Sequence, residues 1–245
     1  MSKNELRVLS AGAVKRGVAQ IAKEFESATG TRVNVEFDTA PKLRKRVAAG
    51  ESADVIVVPL AVMDEFAKQG RIATDSRGFV GRSRMGVVVH ATVAAPALAD
   101  TAAFKRTLLA ASAVIYNKAS SGLYSARLME KLGLDKELGS KIVVVDSGAA
   151  IMETVAARGP GAIGLAQISE VIVMIDKGCA VKLAAPLPDE IQNVTSYDAA
   201  AFSAAPEPAP GRVAPQSNDV DVDERGLIYL VDRYSGFDIL EFDRR

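Results

Sequence analysis

The sequence predicts an α/β protein of two lobes that ends in a short β-meander. Three observations predict it. Short apolar runs alternate with amphipathic stretches from Val8 to Ile175, the alternation falls into two series that divide near Arg82, and a proline-rich stretch from Pro206 sets both apart from three short strand-like runs. Alternation of this kind implies parallel strands joined by right-handed helical crossovers.

In the first series Val8 and Leu9 start a strand. Val14, Val18, Ile21, Ala22 and Phe25 then follow helical spacing up to Gly30, a residue type that commonly ends a helix. Val33, Val35 and Phe37 alternate with Asn34 and Glu36 as a strand. Leu43, Val47 and Ala48 give a helix after Pro41. Val55–Val58 is a continuous apolar run, suited to a parallel strand covered on both faces, and Val62, Phe66 and Ala67 line a third helix. The second series repeats the pattern. Val87–Val89, Val114–Tyr116, Ile142–Val145 and Ala162–Leu165 read as strands. Phe104–Ala111, the stripe Tyr124, Leu128 and Leu132 closed by Gly133, the stripe Ile151, Met152 and Val155, and Val171–Ile175 read as helices. Beyond Ala205, the prolines at 206, 208, 210 and 215 form an extended linker. Runs at 219–223, 227–231 and 237–242, with turns at Arg225–Gly226 and Ser235–Gly236, make the meander. The last 40 residues hold nine acidic groups and five arginines but no lysine, so this tail reads as a surface for docking a partner chain.

Composition excludes several classes of function. The chain has 245 residues, 49% of them hydrophobic and 24% charged, which is enough apolar material for a globular core. Thirty basic residues balance thirty acidic ones, so no nucleic-acid partner is expected. A single cysteine (Cys179) and a single histidine (His90) exclude a disulfide framework and any multi-Cys or multi-His metal site; no metal and no cofactor are expected. No apolar run approaches the roughly 20 residues that span a bilayer, so no membrane insertion is expected. No basic start with an apolar stretch precedes Leu6. The chain as written therefore reads as cytoplasmic, or as periplasmic if a secretory signal has been removed.

Three glycine-containing turns stand between a strand and a helix: Ser10–Ala13, Ser120–Gly122 and Ser147–Ala149. Each should present main-chain N–H groups at a helix N-terminus, where the helix dipole favours an anion. Taken singly, each is ordinary turn and cap chemistry. Three in corresponding places across two series shift the reading toward an anion site. Lys42–Arg46 is a basic run whose ordinary reading is a solvated face, with Lys42 placed to contact an anion. His90 and Cys179 have no sequence neighbour that would make a nucleophilic pair. There is no Walker motif and no Gly-x-Gly-x-x-Gly fingerprint.

The residues that carry a family likeness are Leu6–Ala13 (LRVLSAGA), Gly50–Val57 (GESADVIV), Ser120–Leu134 (SSGLYSARLMEKLGL) and Ala162–Glu170 (AIGLAQISE). On these segments the chain resembles the type II periplasmic solute-binding proteins of the molybdate-binding class, from about Leu6 to Phe202. The resemblance implies two α/β lobes joined by two crossing strands and closing on a ligand, with the crossings near Arg82–Arg84 and Pro186–Thr195. Lobe 1 is then 1–82 with 186–205, lobe 2 is 83–185, and 206–245 is linker and meander. The resemblance places ligand loops at Gly12–Ala13, Asp38–Thr39, Ser120–Ser121, Gly148 and Gln167; the residues themselves add Ser10 of the first turn and Lys42 of the basic run as expected ligand contacts. It also implies a monomer that delivers a small anionic ligand to an ABC permease.

The sequence departs from molybdate binders at three points. Ala13 stands where they carry serine, Thr39–Ala40 where they carry a serine pair, and Gln167 where tyrosine is common. The segments Phe104–Ala111, Gln167–Glu170 and Pro188–Thr195 are more similar to the subgroup that includes aconitate isomerase. The implied ligand is then an organic carboxylate rather than molybdate, held in a cleft between lobes. Two alternatives stand beside capture: an aconitate-isomerase-like enzyme that shifts a double bond in a tricarboxylate, and a cytoplasmic anion sensor or interaction protein. For an isomerase the catalytic residues are unknown; His90, Glu170 and Asp146 are the candidate bases.

Overall fold

The structure is a computed structural model and describes residues 5–203 together with strands at 220–222, 227–232 and 236–241. The chain divides into two compact units, residues 1–82 with 195–245 and residues 83–194.

Unit 1 is built on three parallel strands: β1 (Glu5–Ala11), β2 (Arg32–Asp38) and β3 (Val55–Pro59). A single turn, Gly12–Val14, leads into α1 (Lys15–Thr29), which Gly30 stops by adopting a left-handed conformation at φ 70°. Ile21 is exposed although it shares the helical spacing of buried Val14 and Val18. Helix α2 (Ala40–Ala48) starts with Pro41 in its first turn, where a missing N–H costs nothing, and α3 (Leu60–Lys68) follows β3 directly. Leu9, Leu43, Ile56, Met63 and Phe66 close the core on one face of the sheet. The Gly50–Val57 segment has a structural job. Buried Asp54 accepts the Arg7 amide at 2.7 Å while its own amide donates to the Arg7 carbonyl, which ties the start of β3 to β1.

Strand β4 (Gly78–His90) runs through the Arg82/Ser83 boundary into unit 2. There follow α4 (Thr101–Ala110), β5 (Ala113–Asn117), α5 (Ser120–Leu132), α6 (Leu134–Leu138), β6 (Ile142–Val145), α7 (Gly148–Arg158), β7 (Ala162–Gln167), α8 (Ile168–Asp176) and β8 (Val181–Pro186). Strands β6, β5 and β7 are parallel, whereas β4 is antiparallel to both β7 and β8. The sheet is therefore mixed, not wholly parallel as the alternation implied. Both faces are packed, one with Phe104, Leu108, Met129 and Leu134 and the other with Ile151, Met152 and Val155. Residues 186–194 stay with unit 2 because Leu187 and Ile191 are buried in its core. The Gln192 side chain also accepts the Met85 amide at 2.8 Å and donates to the Met85 carbonyl at 3.1 Å.

Strand β9 (Val194–Ala201) returns to unit 1 and lies antiparallel to β3, from Val55 opposite Ala201 to Pro59 opposite Tyr197. Strands β10 (Val220–Val222), β11 (Leu227–Asp232) and β12 (Gly236–Glu241) form a separate antiparallel meander in the order read from the sequence. The expected proline linker and the turns at 225–226 and 235 lie outside the described residues. No helix among the described residues is long and apolar enough to cross a membrane.

Candidate anion site

Parallel strands bring their carboxyl ends to one sheet edge, and the turns that follow them form the ligand-facing rim of open α/β sheets. In unit 1, Ala11 pairs with Asp38 across β1 and β2, so the Gly12–Val14 turn stands beside Thr39, which flanks α2. No side chain caps the Gly12 turn, and the Gly12 and Ala13 amides have no acceptor among the described residues. Next door, the N-terminus of α2 already has an anion. Asp38 Oδ1 accepts the Thr39 amide at 2.8 Å, and the Lys42 ammonium lies 3.5 Å from the same oxygen with its side chain mostly in solvent. Ser10 is fully buried and its hydroxyl donates to the Ala11 carbonyl at 3.2 Å.

In unit 2 the register sets Asn117 opposite Val145, which puts the turns after β5 and β6 side by side, and β7 flanks β5 on its other edge. Buried Asn117 organises the first turn of α5. Its Oδ1 accepts the amides of Ala119 (3.0 Å) and Gly122 (3.2 Å) and the Ser121 hydroxyl (3.3 Å). The amides of Ser120 and Ser121, at the first two helical positions, have no such acceptor. The end of α7 follows the same logic. Ser147 Oγ accepts the Ala150 amide at 3.2 Å, and the Gly148 and Ala149 amides stay unspent. Gln167 is buried at the end of β7 as the residue preceding α8.

Glu170, in the first turn of α8, reaches this rim. A Cβ built on Gly148 would lie 2.2 Å from each of Glu170 Cδ, Oε1 and Oε2, so the carboxyl covers the first residue of α7. It makes no hydrogen bond or ion pair among the described residues, and burial alone pushes its pKa up to about 7. Asp146, also on this edge, is exposed and paired with Lys118 at 2.8 Å. His90 is elsewhere. Because β4 runs antiparallel to β7, with Val89 opposite Ile163, His90 falls level with the start of β7, at the edge away from these turns. Its Nδ1 lies 2.8 Å from Thr92 Oγ1. Cys179, two residues before Val181 and thus near His90, shares that distant edge; burial, then the charge of Glu153, pushes its thiol up. No cluster of potential metal ligands occurs among the described residues.

Unit 1 therefore gathers Gly12, Ala13 and Thr39 on one rim, with Lys42 held on Asp38. Unit 2 gathers Ser120, Ser121, Gly148 and Gln167 on another. Sequence reading found the turns through their glycines and serines. It missed Asn117, whose capping role shows only in the fold, and it had no reason to prefer Glu170 over His90.

A model of the family described as bacterial extracellular solute-binding protein matches residues 6–212. An aconitate isomerase from Pseudomonas sp is 29% identical over 213 residues, covering 84% of this chain and 79% of that protein. Among solved structures, the periplasmic molybdate-binding protein of Azotobacter vinelandii gives a TM-score of 0.65 at 18% identity, covering 82% of this chain and 87% of that one. A tungstate ABC transporter structure from Geobacter sulfurreducens gives 0.63 at 18% identity, covering 81% and 84%. These likenesses show the two-lobed periplasmic-binding-protein fold, as the sequence led us to expect. The chain belongs to the bacterial extracellular solute-binding protein family.

Proposed function

We propose that this chain captures a small anion, an organic carboxylate in preference to molybdate, through main-chain N–H donors at the carboxyl ends of its parallel strands, and hands it to an ABC permease. The observation that carries the reading is the state of the donors. The amides of Gly12, Ala13, Ser120, Ser121, Gly148 and Ala149 are unspent. The hydroxyl protons of Ser10 and Ser121 are committed to the chain's own acceptors. Helix N-termini suit a carboxylate and a tetrahedral oxyanion alike, so the preference for a carboxylate rests on these two hydroxyls being committed elsewhere. A thermal-shift panel of trans-aconitate, cis-aconitate, citrate, molybdate, tungstate and sulfate tests it. The expected result is a larger rise in melting temperature with a tricarboxylate than with molybdate or sulfate. A larger rise with molybdate would reverse the ligand preference.

A second reading has one specific observation in its favour. A carboxyl poised near neutrality on the rim, Glu170, is the type of group that moves a proton on and off carbon, and a relative is an aconitate isomerase. Incubating the protein with cis-aconitate and following the trans isomer by NMR tests turnover; no conversion at high protein concentration favours capture.

A further inference from the structure

Glu170 is an acidic group on the unit 2 rim that has no partner among the described residues. Other acidic side chains on the described edges have partners: Asp38 holds the Thr39 amide and Lys42, and Asp146 holds Lys118. Glu170 has none, and it lies against Gly148, the residue that begins α7. Any side chain at 148 would need the space the carboxyl fills, so the glycine reserves room for Glu170. The two unspent amides of Gly148 and Ala149 sit at the same helix end. An anion bound on them would lie within a few ångströms of the Glu170 carboxyl.

We propose that Glu170 is a ligand-binding residue that engages the bound anion as its neutral acid, donating an O–H hydrogen bond to it, so that the chain takes up one proton from solvent with each anion it binds above neutral pH. This rests on the anion-binding reading and goes beyond it by naming the group that couples binding to protons. Two negative charges so close disfavour the ionised carboxylate strongly, and paired carboxylates settle this by sharing one proton. The free carboxyl already titrates near 7, so little further push is needed. Of the elements packed against α8, helix α7 carries Glu153 and Arg158, β8 carries Lys182 and β7 carries no charge, and Asp146 ahead of α7 is matched by Lys118; none of these charges contributes to the Glu170 displacement. Burial is the sole cause of the Glu170 displacement.

Isothermal titration of the full chain with trans-aconitate, and separately with molybdate, tests the proposal between pH 6 and 9 in HEPES and in Tris. For wild type the expected affinity is flat up to about pH 7 and falls about tenfold per pH unit above it. Heats at pH 8.5 should differ between the buffers by the amount for about one proton taken up. Glu170→Gln should bind with a flat profile and no buffer dependence. Wild-type binding at pH 8.5 without proton uptake, or a Glu170→Gln profile as steep as wild type, would overturn the proposal. The wild-type buffer comparison needs no variant, so it stands even if Glu170→Gln misfolds. Absence of heat and of thermal shift with both anions at pH 6, in both proteins, would instead sink the anion reading and this proposal with it.

Discussion

Gly122 and Asn117 compete for one volume. A Cβ on Gly122 would sit 1.5 Å from the Asn117 carbonyl oxygen, and the Asn117 side chain accepts the Gly122 amide at 3.2 Å. The clash is with backbone, so nothing flexible can yield. Gly122→Ala should cost about 3 kcal/mol or more, the range of severe core disruptions. Urea unfolding of the full chain measures it.

Asn117→Ala keeps the space and removes three hydrogen bonds at the start of α5. The expected loss is about 2 kcal/mol, the upper end for a helix cap. Anion binding should weaken as well, because the Ser120 and Ser121 amides lose the turn that aims them.

At Gly148 the obstacle is the end of a movable side chain, so Gly148→Ala should fold. It should still displace the Glu170 carboxyl and weaken trans-aconitate binding about tenfold or more by calorimetry. Unchanged binding would place the anion away from α7.

Burial raises the Glu170 carboxyl from 4.5 to about 7 in the folded chain. The unfolded chain ionises it more readily, so this group destabilises the fold as pH rises from about 4.5 to 7. Glu170→Gln should therefore be more stable than wild type at pH 8, by up to about 3 kcal/mol, with the gap shrinking below about 1 kcal/mol at pH 5. Paired melting curves at the two pH values read it directly.

Glu51 shows the opposite sign. Hydrogen bonds from Arg46 and then Arg7 hold its carboxyl down at about 2, and Glu36 bridges the same two guanidinium groups. Its contribution is present above pH 4.5 and is lost as pH falls toward 2. Glu51→Gln should be less stable than wild type at pH 7, and the two should converge in acid denaturation near pH 2.

Much of the fold could be read from apolar spacing. The helix from Val14 to Gly30 and the run Val55–Val58 carry strong periodic signals, and the structure places α1 and β3 there. Strands β8 and β9 could not be read the same way. Val181–Pro186 and Val194–Ala201 are rich in alanine and polar residues, and they become strands because a neighbour strand supplies their hydrogen bonds. Helix α6 is one short turn after Gly133, anchored by Leu134 and Leu138 rather than by any repeat. At the site, glycine and serine marked the turns. Local sequence does not show which serine hydroxyls are already spent, nor that an antiparallel β4 carries His90 to the wrong edge while α8 brings Glu170 over Gly148.

The antiparallel pairing of β9 with β3 has a consequence for synthesis on the ribosome. Everything unit 2 needs, including the Gln192 clamp on Met85, has emerged by Val194, so that half can close while the chain is still growing. One edge of the opening strands must wait. Val55–Pro59 meets its edge partner only after all of unit 2 has been made. The nascent N-terminal segment therefore spends the longest time with an uncovered strand edge, and that is where a chaperone or a stray strand would bind first.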